Sequence, residues 1–276
     1  MGGKQRLVPQ LLPMIPEHFA YVEVFGGAGS LLLNKPRSQL EVYNDLDGQL
    51  VNLFEVVRDD VEAFVKRAEF LVYSRELYER WQNDFKNGQI PSDRVERAIR
   101  FWYLIRSSFG AHPYKGWGFR RKQRSMAETL PRCLANLHAV HERLRTVEID
   151  HLDFRKCIHH RDAPGAFMFL DPPYLATQSY RTGTFTLDDH RALAEILHSV
   201  KSKWLLTVGD HPEIRALYGG FSHETIESSL AIEKMTGGKR RHFANLIIRN
   251  YTPPETPLLV ATASESTLLD VFGFAS

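Results

Sequence analysis

Five consecutive apolar residues, Ala166 to Leu170, run straight into Asp171-Pro172-Pro173-Tyr174, and this junction constrains the fold more than any other stretch. A short apolar run without polar alternation suits a strand buried on both faces, the situation of a central strand in a parallel sheet covered by helices. The prolines then end it, because a proline gives no N–H to a ladder and holds its predecessor extended. They leave backbone carbonyls without a competing local donor, Asp171 adds an acceptor beside them, and Tyr174 adds a stacking face. Such a grouping suits a planar ring that bears an amino group. The plainer alternative is a rigid strand exit with a capping aspartate.

Elsewhere the chain alternates strands and helices. Tyr21 to Phe25 (YVEVF) reads as a strand that breaks at Gly26, Gly27, Ala28, Gly29 and Ser30, and Leu31 to Leu33 reads as the start of a helix. Glu41 to Asn44 is a second strand, ending at Asp45, and helical spacing follows through Leu46, Leu50, Leu53, Phe54 and Val57. From Val61 to Arg106 the patterns are helical with no convincing strand, and a helix is expected around Leu130 to Leu144. Further strands are expected at Val147 to Ile149, Ala166 to Leu170, Trp204 to Val208 and Phe243 to Arg249. Thr186 and Asp189 make a capping box with a short acid, opening a helix through Leu193, Ile196 and Leu197. The expected fold is α/β, a mostly parallel sheet with helices on both faces and a helical insertion. Residues 1–58 and 146–251 then form one discontinuous domain, 59–145 the insertion, and 252–276, with Pro253, Pro254 and Pro257, an extension without an assigned role.

Composition narrows the class. With 43% hydrophobic and 25% charged residues in 276, the chain has the makeup of a globular protein with a core. No apolar run approaches the roughly 20 residues of a membrane span, and no signal segment opens the chain, so the expected compartment is the cytoplasm. Cys133 and Cys157 make neither a disulfide framework nor a paired zinc motif, and the histidine pairs His159-His160 and His138/His141 lack ligand spacing, so no metal is expected. The net charge of +2 hides an uneven distribution. Between Arg94 and Arg132, eight arginines and two lysines face two glutamates, Glu96 and Glu128, an excess that suits a polyanion.

Within that stretch, Ser107 to Ser125 is rich in glycine, aromatic and arginine residues and has neither periodicity, as functional loops of this length commonly do not. Arg106, Lys115, Arg120, Arg121, Lys122 and Arg124 are candidate phosphate contacts, with Tyr114, Trp117 and Phe119 as stacking or intercalating aromatics. A second basic turn, Lys239, Arg240 and Arg241, follows Gly237-Gly238. Solvated basic loops are the alternative for both.

A glycine turn after the first strand and an acid ending the second, Asp45, are the parts with which a doubly wound sheet holds a nucleoside. The dinucleotide pattern asks for a third glycine where this chain has Leu32, so a nucleoside without a pyrophosphate fits better.

These residues resemble the Dam-like D12 class of adenine-specific DNA methyltransferases in its α-type arrangement, over roughly Gly2 to Tyr251. Gly2-Gly3-Lys4 is similar to the family's amino-terminal cofactor motif, Phe25-Gly26-Gly27-Ala28-Gly29-Ser30 to its glycine motif, and Asn44-Asp45 to its ribose-binding strand end. Asp153-Phe154 resembles the pair that holds the cofactor adenine, and Asp171 to Tyr174 the catalytic tetrad. The resemblance implies a Rossmann-like class I methyltransferase sheet, S-adenosylmethionine as cofactor, and double-stranded DNA as partner, with no membrane and no partner protein. It implies catalytic roles for Asp171, Pro172 and Tyr174, and cofactor contacts at Lys4, Phe25, Gly26, Gly27, Ala28, Gly29, Asp45, Asp153, Phe154 and Asp171. The insertion and its basic loop would read the target, but the loop does not match that of GATC-specific members, so no recognition sequence carries over. Three residues keep plainer readings: Asp153 as a helix cap, Lys4 as a terminal lysine, Asn44 as a turn former.

The activity this implies is direct transfer of a methyl group to N6 of a flipped-out adenine, by a solitary or restriction-modification methylase. Cytosine N4, an RNA adenine or a glutamine amide is the alternative acceptor, and a DNA-binding relative without catalysis the alternative class; an acid at position 171 favours adenine.

Overall fold

In the computed structural model, residues 7–108, 116–118, 126–175, 184–229 and 242–255 are described. Seven strands form one sheet: β1 Ala20–Glu23, β2 Leu40–Asn44, β3 Val147–Asp150, β4 Ala166–Leu170, β5 Lys203–Gly209, β6 Ser222–Ser229 and β7 His242–Arg249. Their spatial order is β3-β2-β1-β4-β5-β7-β6. The first five are mutually parallel, while β7 runs antiparallel to both β5 and β6. Between β1 and β4 the order of strands reverses, so the loops leaving these two neighbours diverge and open a crevice at their carboxyl ends.

The period of two in the central strands sorts side chains into two cores. On one face Tyr21, Tyr43, Phe167, Phe169, Leu205 and Ile247 share a core with Leu53, Phe54 and Val57 of α2 (Gly48–Asp59), and this core continues through Phe64, Trp102 and Leu137. Those last three lie on α3 (Val61–Ala68), α5 (Arg94–Ser107) and α6 (Met126–Leu144), which together with α4 (Arg75–Lys86) fill the expected insertion. On the other face Val22, Val42, Met168, Leu170, Leu206 and Val208 pack with Cys157, Leu193 and Ile214. These come from α7 (Phe154–Arg161), α8 (Leu187–Ser199) and α9 (Pro212–Leu217). Each such large side chain contributes about 1.5–3 kcal/mol on burial. A short amino-terminal helix, α1 (Val8–Leu11), adds Val8 and Leu11 to the first core.

Most expected elements are present, including the Thr186/Asp189 capping box with both of its reciprocal bonds. Three differ. The first strand stops at Glu23, although the Val24 N–H still reaches the Phe169 carbonyl at 3.0 Å. The expected helix at Leu31 is a single turn, closed by Leu33 N–H to Gly29 (2.9 Å) and Lys35 N–H to Leu31 (3.0 Å). Pro36 stops it, having no N–H to offer the Leu32 carbonyl. Arg143, from the last turn of α6, supplies that missing donor at 2.6 Å. Finally, β6 has a polar sequence, SHETIESS, without an apolar face to betray it, and forms the edge of the sheet paired only with β7.

Arg143 belongs to a buried ionic network. Its guanidinium holds Glu41 at 2.5 and 2.8 Å, and the Lys35 ammonium reaches the same carboxylate at 2.5 Å while lying 4.4 Å above the Tyr21 ring. Burial lowers Lys35 to about 8. For Glu41, burial opposes ionisation, but the Arg143 hydrogen bonds and the Lys35 charge outweigh it and hold the carboxyl below its usual range. Removing the shared anion strands two buried cations. Glu41→Gln should therefore lower unfolding stability by roughly 3–5 kcal/mol, read as a fall in the urea midpoint at constant slope. An unchanged midpoint would show that the two cations do not depend on this carboxylate.

Candidate active site

Chemistry collects in a row across the carboxyl ends of the parallel strands. Glu23 lies opposite Tyr43 in β2 and Phe169 in β4, and Phe169 lies opposite Leu205 in β5. Two residues further along each strand come Phe25, Asp45, Asp171 and Thr207.

Tyr43 builds the glycine turn. Its ring stacks on Phe54 at 4.1 Å, and its hydroxyl donates to the Gly27 carbonyl at 2.8 Å. A side chain at position 26 is excluded by that ring, since a Cβ there would lie 2.3–2.7 Å from three ring carbons. Gly27 has φ +50°, which favours glycine, and nothing lies within 4 Å of where its Cβ would stand, so the turn faces open space. Asp45 accepts the Gly27 N–H and the Asp47 N–H, each at 2.7 Å, through different oxygens. Burial nevertheless raises its carboxyl to about 6.

Asn44 spends its amide on backbone. Its NH2 donates to the carbonyls of Val24 (2.9 Å) and Leu152 (3.0 Å), and its oxygen accepts the Leu152 N–H (2.9 Å). This single side chain fastens the exit of β1 and the exit of β3 to the end of β2. Asp153 follows at once and caps α7, accepting the Arg155 N–H at 2.9 Å. Phe154 is buried, with Phe25 at 5.6 Å and Phe185 at 5.5 Å, and the Arg155 guanidinium covers its ring at 4.3 Å. Phe25 and Phe185 meet edge to face, making an aromatic wall beside the glycine turn.

Beyond β4, Asp171 and Tyr174 are held from β5 and β7. The Thr207 hydroxyl donates to Asp171 Oδ1 at 2.8 Å, and the Tyr174 hydroxyl donates to Asn245 Oδ1, also at 2.8 Å. Gly209 gives the Tyr174 ring room, because a Cβ on it would come within 3.3 Å of the ring. Behind the tetrad, fully buried His190 packs edge to face on Phe185, and burial lowers it to about 4, so it is neutral. Pro172 is buried and Asp171 is half-buried.

Glu23 underlies the row. It is 2% exposed and its Oε2 accepts the Tyr21 hydroxyl at 3.0 Å and the Leu32 N–H at 2.9 Å. Burial raises it to about 8, and the charge of Asp171 adds to the rise.

The structure thus brings together Phe25, Gly26, Gly27, Ala28, Gly29, Asp45, Asp153, Phe154, Asp171, Pro172 and Tyr174. Lys4, Lys115, Arg120, Arg121, Lys122, Arg124, Lys239 and Arg240 lie outside the described residues, as do Tyr114 and Phe119. Arg106 is half-buried at the end of α5. Trp117 is not an exposed stacking aromatic: it lies on Tyr73 at 4.2 Å, and the Tyr73 hydroxyl donates to the Gly118 carbonyl at 2.8 Å. Sequence reasoning missed Thr207, Asn245, Tyr43 and Glu23. Their roles follow from strand register, and nothing in their local sequence marks them.

Comparison with known proteins points to one family. The family model of the D12 class N6 adenine-specific DNA methyltransferases matches residues 1–232. The Type II methyltransferase M1.LlaDCHI of Lactococcus lactis subsp. cremoris is 25% identical over 281 residues, spanning 91% of this chain and 93% of its own. A DNA adenine methylase of Serratia marcescens is 26% identical over 227 residues, spanning 76% of this chain and 81% of its own. The Retron Ec67 DNA adenine methylase of Escherichia coli is 26% identical, with 86% and 85% covered.

The Glu23 carboxyl sets a pH dependence. With a folded-state value of about 8 against an ordinary 4.5, the native state holds a proton that the unfolded chain releases. Its contribution to stability is therefore greatest below the unfolded value and is lost as pH rises toward about 8. Glu23→Gln keeps an acceptor for Leu32 and Tyr21 and cannot ionise. Its stability relative to the parent should improve by at least about 1 kcal/mol between roughly pH 5 and pH 8.5. Parallel denaturation curves for the two proteins across that range would refute the assignment.

Proposed function

The chain belongs to the D12 class of N6 adenine-specific DNA methyltransferases, and on that premise we propose that it transfers a methyl group from S-adenosylmethionine to N6 of an adenine flipped out of duplex DNA. The observation that carries this reading is the placement of Asp171 to Tyr174 at the end of β4, beside the glycine turn of β1 where the strand order reverses. A cytoplasmic enzyme, solitary or paired with a restriction nuclease, is the setting we propose. Among the described residues no helix is long and apolar enough to cross a membrane.

The residues present fit an adenosyl donor. The space over Gly27 is open, Asp45 sits beneath it to accept ribose hydroxyls, and Phe25, Phe154 and Phe185 wall the side on which an adenine would lie. When bound, S-adenosylmethionine supplies an electrophilic sulfonium methyl. Lys4, Gly26, Ala28, Gly29 and Asp153 complete the proposed donor site.

The remaining work falls to the tetrad. The lone pair of adenine N6 is delocalised into the ring and is a poor nucleophile. Asp171 and the Pro172 carbonyl accept its two hydrogens, which favours a tetrahedral nitrogen and localises the lone pair. Tyr174, braced by Asn245, replaces the stacking that the flipped base loses. No covalent enzyme intermediate is needed, and the proton released from N6 passes to solvent after transfer. Duplex DNA is gripped, in this proposal, by Arg106, Lys115, Arg120, Arg121, Lys122 and Arg124, with Lys239 and Arg240 touching the backbone from the second basic turn.

Incubation with labelled donor and mixed-sequence duplex DNA, followed by nucleoside analysis, should yield N6-methyldeoxyadenosine. Asp171→Ala should cut turnover by roughly 10²–10³ while donor affinity in calorimetry stays near that of the parent, and Asp45→Ala should show the reverse emphasis, weak donor binding with DNA affinity unchanged. Label in N4-methylcytosine, or full turnover by Asp171→Ala, would overturn the reading.

Neutralising Arg120, Arg121 and Lys122 together should weaken DNA binding and flatten its salt dependence by up to about 0.9 log unit per lost phosphate contact. An unchanged affinity and slope would move the DNA grip to Lys239 and Arg240.

A further inference from the structure

We propose that Thr207 is the positioning residue for the Asp171 carboxylate, an inference that rests on the methyl-transfer reading above and adds a residue to it. Thr207 is fully buried in β5, one strand away from the tetrad, and its hydroxyl donates to Asp171 Oδ1 at 2.8 Å. The other acceptor within reach, the Leu170 carbonyl, lies at 3.5 Å, so the single hydroxyl hydrogen is committed to the carboxylate.

Rotation about the last bond of an aspartate is soft, because an sp³–sp² torsion has broad wells. A carboxylate that must accept a hydrogen from an amino group in the plane of a base needs that rotation fixed. Threonine is suited to fix it, since its branched Cβ restricts its own side-chain torsion and aims the hydroxyl. The strand supplies the rest of the brace. Thr207 lies opposite Ile247 and Gly209 opposite Asn245 in the β5–β7 ladder, so one face of this pair carries the donor to Asp171, the gap that receives the Tyr174 ring, and the partner of the Tyr174 hydroxyl. Both functional ends of the tetrad are thereby located by the same two strands, and a small misplacement of a reacting group can cost on the order of 10²-fold in rate.

The test uses the full chain with labelled S-adenosylmethionine and unmethylated mixed-sequence duplex DNA. Thr207→Val removes the hydroxyl and keeps the branched shape and strand preference, whereas Thr207→Ser keeps the hydroxyl. The expected result is a fall in kcat of about 10–100-fold for Thr207→Val, with KM for DNA and donor affinity within about twofold of the parent, an undiminished Tm, and recovery of most of kcat in Thr207→Ser. A Thr207→Val chain that turns over as fast as an active parent overturns the inference alone. Loss of kcat together with Tm, and no rescue by serine, marks a packing role and also overturns it. A parent that methylates no DNA adenine overturns the functional reading, and this inference with it.

Discussion

A strand buried on both faces has no side chain to spare for chemistry. In β4 all five residues are buried, and Phe167 to Leu170 alternate between the core shared with α2 and the core shared with α8. The same holds, with few exceptions, for β1, β2 and β5. Asp45 and Asp171 accordingly stand just past the ends of β2 and β4, while Thr207 lies within the longer β5 beside Asp171, and strand register sets these positions in a line. Asp45, Phe25, Asp171 and Thr207 stand near one another because hydrogen-bond register puts them there, although more than a hundred residues of chain separate Asp45 from Asp171.

Apart from the Thr207–Asp171 and Tyr174–Asn245 bonds, that line is kept in place by side chains bonded to backbone. Asn44 closes the gap between three strand exits, Tyr43 and Asp45 hold the carbonyl and the N–H of Gly27, and Glu23 and Arg143 hold the N–H and the carbonyl of Leu32. The last of these has a wider reach. Arg143 lies at the far end of α6, the helix that leads out of the basic loop, so the insertion is tied directly to the turn that underlies the proposed donor site. A buried ion pair contributes little net stability over an apolar equivalent, and its worth here lies in fixing the register of one part against the other.

Much of this was legible from the residues alone. Ala166 to Leu170, the glycine turn and the Thr186 cap announce themselves locally, through a run, a break and a polar pair at fixed spacing. Leu31 to Leu33 misled because three leucines after a glycine turn commonly begin a helix, and only Pro36, read as a missing donor, limits it to one turn. The edge strand β6 was illegible because its outer position asks for no apolar face. Thr207 and Asn245 were illegible for a deeper reason: their roles depend on which strands become neighbours, and β7 reaches β5 only by entering between β5 and β6.

That entry fixes the order in which the site comes into being during synthesis. The strand that supplies Asn245 and flanks Thr207 is the last of the seven to leave the ribosome, yet it occupies an interior place in the sheet. Until about residue 249 has emerged, β5 has an open edge, β6 has no neighbour, and Tyr174 lacks the side chain that receives its hydroxyl. The glycine turn and the Asp45 carboxylate can be assembled well before then. Under the proposed function, a growing chain would thus complete the donor side of the site before the side that receives a base.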